Sequence, residues 1–299
     1  MAASLRHLKH QLPVLGALAR TAVQSLRGGR SSGTPLVGQR LVDEVAPPPQ
    51  DLVDDYIRAV GGSHASWQGQ LPPHLFPQWG FPLMSRTLAN VPYDLSKVLN
   101  GGCRIEVHHP LPAQERLHLE ASLVDIDDDG YRAVLHQRLT TGLVGQAPAV
   151  TAHVYAIVPY KRREGPRKPK PEVPATSTAS EAWQLDARAG LDFAILTGDF
   201  NPIHWIPLAG RAAGFGGCIL HGFATLARTW EGIARCASDG DPTQLATLDA
   251  RFVSPLKLPG TAELHVGPAD TEAHTVHVGP SPGSRAIMTA SYTLKESSP

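Results

Sequence analysis

The chain carries a long internal repeat, and this repeat restricts its architecture more than any other feature. The segment RIEVHHPLPAQERLHL, which begins at residue 104, is similar to RFVSPLKLPGTAELHV, which begins at residue 251. An offset of this length is typical of a small duplicated domain rather than of a short solenoid repeat. The repeat predicts two related halves, each with a turn between two strands at its Leu-Pro pair. A single offset of 147 residues aligns Arg104 with Arg251, Leu111 with Leu258, Pro112 with Pro259, Leu117 with Leu264 and His118 with His265.

Hydrophobic patterning predicts a helix and several antiparallel strands in each half. In the first half, RLHLEASLVDI and YRAVLHQRLTT flank the acidic turn DDDG and predict a hairpin, and PAVTAHVYAIVP predicts a further strand. In the second half, TAELHVGPA, AHTVHVGP and SRAIMTASYTLKE predict three strands. GFATLARTWEGIARCA, from Gly222 to Ala237, has apolar residues at helical spacing and predicts one long helix, with a weaker first-half counterpart near PYDLSKVLN. The fold class is therefore α+β.

Two stretches rich in proline interrupt these patterns. GGSHASWQGQLPPHLFPQWGFP, which begins at Gly61, is expected to form a loop that lines or covers a pocket. KRREGPRKPKPEVPATSTASEA, at 161–182, predicts an exposed linker, although its basic residues also fit attraction of a polyanion such as the phosphates of coenzyme A. The chain then divides into a basic N-terminal segment (1–45), a first domain (46–160), this linker and a second domain (183–299).

The N-terminal segment is basic and has apolar residues at helical spacing. No Asp or Glu occurs between residues 1 and 42, and the stripe consists of Leu5, Leu8, Leu12 and Leu15. The favoured interpretation is a surface helix that packs on the body through this leucine stripe, with a cytoplasmic location. The alternative is a transit peptide for the mitochondrial matrix.

Composition argues against several classes of protein. Lys and Arg number 27 and Asp and Glu number 27, so no net field attracts nucleic acid or a membrane surface. The three cysteines are widely spaced and odd in number, which favours a reducing compartment over a disulfide framework. No apolar run approaches the roughly 20 residues of a membrane-spanning helix, so membrane insertion is not expected.

The stretch LTGDFNPIH, at 196–204, concentrates residues that can move protons. Gly198 permits backbone angles that other residues resist, and Pro202 restricts both itself and the residue before it. The chain can therefore point Asp199 and His204 at a common space, where the two side chains could share a water as base and acid. Taken alone, the same residues also fit an ordinary Asx turn, in which Asn201 caps the next turn.

A longer window resembles a known motif. FAILTGDFNPIH resembles the hydratase motif of the MaoC-like (R)-specific enoyl-CoA hydratases and 3-hydroxyacyl-thioester dehydratases. That family also carries a His-Gly pair at the start of its central helix, as in His221-Gly222, and RFVSPLKLPG resembles its next strand and turn. Two positions differ, because Ile206 stands where the family usually has Asp and Gly210 where it usually has Ala. The matching motif residues are Phe193, Thr197, Gly198, Asp199, Asn201, Pro202, Ile203 and His204.

The resemblance implies a double-hotdog protein, in which two fused domains each wrap an antiparallel sheet around a central helix. The catalytic motif lies only in the second domain. The implied site contains Asp199 and His204 as an acid–base pair, and the sequence does not assign which of them carries which proton. Asn201 would orient the water or brace the loop, the Gly222 N–H would be the oxyanion donor, and His221 and Phe215 would line the substrate.

The implied function is that of a hydro-lyase. It would reversibly hydrate a trans-2-enoyl-CoA to the (3R)-3-hydroxyacyl-CoA, with no cofactor besides the coenzyme A of its substrate. No metal is expected either, since the adjacent His108 and His109 would point to opposite faces of a strand. An acyl carrier protein and a homodimer remain open as partners. The alternatives are a 3-hydroxyacyl carrier-protein dehydratase of fatty-acid synthesis and a non-catalytic hotdog protein that binds acyl thioesters.

Overall fold

A computed structural model describes residues 3–16, 33–161, 169–267 and 274–296 of the chain. The two halves repeat one order of elements. The first half contains β1 (Arg40–Val45), α1 (Gln50–Ala59), α2 (Pro77–Thr87), β2 (Leu99–Val107), β3 (Leu117–Asp128), β4 (Arg132–Leu143) and β5 (Pro148–Pro159). The second half contains β6 (Glu181–Leu185), α3 (Ala189–Thr197), the short α4 (Pro207–Ala212), α5 (Gly222–Ala237), β7 (Leu245–Phe252), β8 (Gly260–Val266), β9 (His274–Gly279) and β10 (Met288–Leu294).

The strands form one antiparallel sheet whose order reads the same from both ends. The order is β1-β3-β4-β5-β2-β7-β10-β9-β8-β6, so the halves meet where β2 pairs with β7. Gly102 pairs there with Arg251, and a Cβ on Gly102 would lie only 2.6 Å from the Ala250 carbonyl oxygen. α2 packs on β1, β3 and β4, and α5 packs on β7 and β8. The expected pair of hotdog-like domains is thereby confirmed.

The long helix of the second half has the bounds that its periodicity predicts. α5 buries Leu226, Trp230, Ile233 and Ala234 completely or almost completely against the sheet. Burial of a large aliphatic or aromatic side chain contributes about 1.5–3 kcal/mol, so this face anchors the second half. The predicted hairpin of β3 and β4 and the predicted strands β5, β8, β9 and β10 are also confirmed.

The predicted first-half helix near PYDLSKVLN is wrong. That segment contains only a 3-10 turn at Leu95–Lys97 and the start of β2. The helix of the first half is α2, whose first six residues, 77–82, belong to the proline-rich stretch that we expected to be a loop. α2 begins at a proline, which helices tolerate, and Pro82 lies within it. Burial of Trp79, Leu83 and Met84 outweighs the cost of that internal proline.

The linker is only partly the exposed connector that its composition predicts. Its basic residues 162–168 lie outside the described part of the chain. The following residues pack on the second half, where Val173 is 1% exposed. The Val173 N–H donates to the Ser284 carbonyl at 2.8 Å, and its own carbonyl accepts from Gly283 at 2.9 Å.

The N-terminal segment lies on the body, but the predicted face is wrong. Residues 5–11 form a 3-10 helix, and helical backbone continues through residue 16. Leu5 and Leu12 are 62% and 67% exposed, whereas His7, Gln11 and Val14 are buried. This face uses specific polar contacts instead of an apolar stripe. Among the described residues, the helices are too short or too polar to cross a bilayer.

Candidate active site

The loop that carries Asp199 starts where α3 ends. Thr197 closes the helix by donating its hydroxyl to the Phe193 carbonyl at 2.8 Å, and Gly198 donates its N–H to the Ala194 carbonyl at 2.8 Å. Gly198 has φ +82°, a left-handed conformation that glycine adopts without strain. The chain therefore leaves the helix in a fixed direction, with Asp199 as the next residue.

Asp199, His204 and His221 converge on one point. One carboxylate oxygen of Asp199 and one ring nitrogen of each histidine lie within 4.8 Å of one another. The Nδ1 atom of His204 lies 2.8 Å from the Ile219 carbonyl oxygen. Since a carbonyl only accepts, Nδ1 carries the hydrogen, and Nε2 of the neutral ring is left as an acceptor. The residues predicted to hold a water are thus brought together.

His221 supports both members of the pair. Its Nε2–H donates to the Asp199 backbone carbonyl at 2.9 Å, and its ring stacks on that of His204 with centroids 3.6 Å apart. His221 also lines the cavity described below, as the sequence predicts. Its contacts indicate that it orients the other two side chains.

Burial brings the proton affinities of the pair closer together. It raises the pKa of Asp199 above 3.8, and the neighbouring His204 imidazole opposes this shift only in part. It lowers the pKa of His204 below 6.5, and the Asp199 carboxylate opposes this shift only in part. The pKa of His221 falls well below 6.5, because the ring is buried and lies beside His204. Two groups with converging pKa values exchange a proton readily as one unit.

Asn201 braces the loop from within. Its side-chain oxygen accepts from the Ile203 N–H at 3.4 Å and caps the 3-10 turn Pro202–His204. Its own N–H points to the Asp199 carboxylate at 3.5 Å. The Asx turn that the local sequence predicts is therefore present, and it is the device that aims Asp199 and His204.

The first turn of α5 supplies the predicted N–H donor. The hydrogen bonds of this turn begin with Ala224 and Thr225, both of which donate to the His221 carbonyl at 3.1 Å. Within the described residues, the Gly222 N–H has no acceptor, as expected at a helix start. A Cβ on Gly222 would meet the Phe252 ring at 3.0 Å, so glycine is the residue that fits between the helix start and this ring. The positive end of the helix dipole adds to the attraction of this N–H for an anion.

All these groups open into one cavity of about 700 Å³. Phe215 lines it, as the sequence predicts. The first half contributes an apolar wall from α2, formed by Phe81, Met84 and Leu88. Of the aromatic residues in the proline-rich stretch, Phe81 alone lines the cavity, while Trp67, Phe76 and Trp79 are core residues.

The structure adds a residue that the sequence did not reveal. Gly190, at the start of α3, faces the His204 backbone, and a Cβ there would lie 2.0 Å from the His204 carbonyl oxygen. The helix that precedes Asp199 and the turn that ends at His204 can therefore pack this closely because position 190 is glycine. A glycine within an otherwise apolar helical stretch was the available signal.

The two departures from the family motif have local structural counterparts. Ile206 is the N-cap of α4 and makes no side-chain cap, so the capping Asp of the family is absent at a short helix. Gly210 has no space for the usual Ala, because a Cβ would lie 2.0 Å from the Gly217 carbonyl oxygen. Neither change touches Asp199 or His204.

Asp199, His204 and His221 also form a donor set of the type that binds zinc. Each histidine already uses one ring nitrogen on a backbone carbonyl. Each therefore has one nitrogen left for a proton, a water or a metal. The arrangement fits acid–base chemistry without a metal, and chelation separates the two chemistries experimentally.

Comparison with known proteins connects this geometry to a family. The MaoC like domain matches residues 164–276. Enoyl-CoA hydratase ChsH3 of Mycobacterium tuberculosis is 32% identical over 247 residues, which cover 80% of this chain and 80% of that protein. The peroxisomal enoyl-CoA hydratase 2 of Arabidopsis thaliana is 30% identical over 179 residues, and the match spans 54% of this chain but only 57% of that relative. The crystal structure of HtdX of Mycobacterium tuberculosis shares the fold, with a TM-score of 0.69 at 18% identity over 86% of this chain and 100% of that one.

Proposed function

This chain belongs to the family of MaoC-like dehydratases and enoyl-CoA hydratases, and we propose that it is a hydro-lyase that reversibly converts a trans-2-enoyl-CoA to the (3R)-3-hydroxyacyl-CoA. The observation that carries the proposal is the meeting of Asp199, His204 and the Gly222 N–H in one largely apolar cavity. A binding protein for acyl thioesters has no use for the acid–base pair.

In the proposed reaction, the thioester carbonyl accepts a hydrogen bond from the Gly222 N–H. Negative charge develops on that oxygen as water adds to the β carbon, and the N-terminal end of α5 stabilises it. One such donor typically contributes about 2.7–4 kcal/mol to transition-state stabilisation. Asp199 and His204 hold the water, take one proton from it and deliver one proton to the α carbon. The result is the addition of one water with no change in redox state.

The walls of the cavity support an acyl thioester as substrate. The α2 residues Phe81, Met84 and Leu88 offer an apolar surface to an acyl chain. Lys170 also lines the cavity, and it is one of the basic residues of the linker. A cation at this place suits the phosphates of coenzyme A or of a carrier-protein arm, so both carriers belong in the assay.

The proposed location is the cytoplasm, with the mitochondrial matrix as the alternative. Cys103, Cys218 and Cys236 are all unpaired, which fits either reducing compartment.

The proposal is tested by hydration of enoyl-CoA substrates of several chain lengths, followed by loss of the enoyl absorbance and chiral analysis of the product. We expect only the (3R) product, and we expect Asp199→Asn and His204→Gln to lower kcat by at least about 100-fold. The matched controls are Asp43→Asn and His64→Gln, which make the same changes on half-exposed side chains.

Full activity in both site variants would contradict the mechanism. Loss of activity on chelation, with recovery on adding zinc, would contradict metal-free acid–base catalysis and would support metal catalysis at the same residues. Activity only on substrates bound to acyl carrier protein would favour the alternative function, a 3-hydroxyacyl carrier-protein dehydratase of fatty-acid synthesis.

A further inference from the structure

The N-terminal segment, residues 3–16, docks on both halves through buried polar side chains. His7 and Gln11 are both 0% exposed, while Leu5 and Leu12 face solvent. Burial of an amide or an imidazole is costly unless it is hydrogen-bonded. Each of the two side chains has one nitrogen within hydrogen-bond distance of a partner, and those partners show what the segment does.

Gln11 binds the end of α3. Its side-chain Nε2 donates to the Ile195 carbonyl at 3.0 Å and to the Leu196 carbonyl at 3.1 Å. Carbonyls in the last turn of a helix have no intrahelical partner, so one amide satisfies two of them. The next residues along the chain are Thr197, Gly198 and then Asp199. Gln11 thus fixes the helix end from which the Asp199 loop departs.

Val14 covers the glycine that turns the loop. A Cβ on Gly198 would lie 2.6 Å from the Val14 Cβ, so the two residues are in direct contact. Val14 is 1% exposed and lines the same cavity as Asp199 and His204. The segment therefore forms part of the cavity wall as well as the support of the loop.

Two further contacts anchor the segment to both halves. The His7 Nε2 atom lies 2.7 Å from the Asp55 carboxylate on α1. The Ala3 N–H donates to the Asp192 carboxylate on α3 at 3.1 Å. Burial of Asp55 opposes its ionisation, but hydrogen bonds from His7 and Arg58 outweigh it and hold the pKa of Asp55 below its ordinary value.

The first half caps its equivalent helix end in another way. The Ala59 carbonyl at the end of α1 accepts from Arg228 at 2.7 Å, and the Gly61 carbonyl accepts from Arg235 at 2.6 Å. Both arginines belong to α5. The repeat offset places the apolar residues Phe81 and Leu88 of α2 at the matching positions beside α3. These residues line the cavity, and their side chains cannot donate a hydrogen bond to a carbonyl. The end of α3 is therefore capped by Gln11, which lies outside the repeat.

We propose that the buried face of residues 3–16 is a positioning element of the active site, in which Gln11 holds the end of α3 and Val14 closes the cavity over Gly198. This inference rests on the proposed function, and it makes the N-terminal segment a part of the working enzyme.

The test compares Gln11→Ala with Leu12→Ala, a control on the adjacent exposed residue. We expect Gln11→Ala to lower kcat by at least about tenfold with little change in KM, because a small displacement of positioned groups slows chemistry more than binding. Leu12→Ala should match wild type. In the Asp199→Asn background, Gln11→Ala should have little further effect, since the pair that it positions is already disabled.

Hydrogen exchange gives a second readout that needs no activity. In Gln11→Ala and in a variant that lacks residues 1–16, the amides of 196–204 should exchange faster, while those of 61–67 in the first half keep their protection. Wild-type kcat and wild-type protection in both variants would overturn the inference, even where Asp199→Asn is inactive. Faster exchange at 196–204 in a protein without hydratase activity would keep the positioning role and refute the proposed function alone.

Discussion

The second half holds a candidate active site, and the first half holds the same backbone frame without one. α3 and α1 are both followed by a glycine in the left-handed region, Gly198 with φ +82° and Gly61 with φ +90°. The next residue is Asp199 in the second half and Gly62 in the first. The same backbone conformation is thus followed by a carboxylate in the second half and by a residue without a side chain in the first half.

The difference continues through the short 3-10 turn and up to the central helix. The turn ends at His204 in the second half and at Trp67 in the first. The residue before the central helix is His221 in one half, and the repeat aligns it with His74 in the other. His204 and His221 stack with centroids 3.6 Å apart, whereas Trp67 meets His74 edge-on at 5.5 Å. The corresponding positions therefore form an acid–base site in the second half and an aromatic core in the first half.

A single side chain fills the space in the first half. Glu231 of α5 is 3% exposed, accepts from the Trp67 indole at 2.9 Å and lies 3.4 Å from His74. A Cβ on Gly62 would meet its carboxyl group at 2.5 Å. At the site of the second half, the residue that the repeat aligns with Glu231 is Met84 of α2. Met84 does not fill the corresponding space but lines the cavity. The duplicated backbone therefore supports a packed core in the first half, where Glu231 fills the space, and a candidate active site in the second half, where a cavity remains.

The largest expected effect is that of Trp67→Ala, which should lower stability without lowering activity. Trp67→Ala removes a large buried ring and the indole partner of Glu231, so we expect a loss of about 3–5 kcal/mol in the free energy of unfolding. The kcat of the folded protein should stay close to wild type, because Trp67 lies outside the cavity. Denaturant unfolding measures the first quantity and an assay at low temperature the second. His204→Gln is the matched opposite, with activity lost and stability kept, and a Trp67→Ala protein that is stable but inactive would contradict the comparison.

Gly222→Ala is expected to lower kcat by about 10–100-fold, somewhat less than complete loss of an oxyanion donor. The added methyl group would lie 3.0 Å from the Phe252 ring, so the helix start or the ring must shift, and the Gly222 N–H would move with the helix start. A second variant, Gly222→Ala with Phe252→Leu, removes the clash but keeps the methyl group. We expect it to recover part of the lost activity, whereas a variant as slow as Gly222→Ala would show that the clash is not responsible.

The candidate site could be predicted because its determinants are local. Asp199, Asn201 and His204 fall within six consecutive residues, and Gly198 and Pro202 fix the turn between them. The helix start at Gly222 follows from strong apolar periodicity downstream. Short-range turn chemistry and periodicity are properties that a sequence displays directly.

Other features depend on partners far along the chain and could not be predicted. The proline-rich sequence of α2 indicates a loop, and only packing against three strands makes it a helix. The N-terminal leucines suggest an apolar face, but the carbonyls of Ile195 and Leu196 bind Gln11 on the opposite one. A satisfied carbonyl 184 residues away leaves no trace in local composition.

The smallest expected effect concerns stability and pH. Burial beside His204 holds the pKa of His221 well below 6.5, so the folded protein keeps this ring neutral while the unfolded chain protonates it near pH 6.5. The unfolded state then binds more protons, and the free energy of unfolding falls as the pH drops below 6.5, by up to about 1.4 kcal/mol per pH unit for this histidine. Denaturant unfolding between pH 7.5 and 5 measures the slope, and His221→Asn should lower it by about one proton. An unchanged slope would mean that His221 takes up its proton as readily in the folded protein as in the unfolded chain, which would contradict a buried neutral ring beside His204.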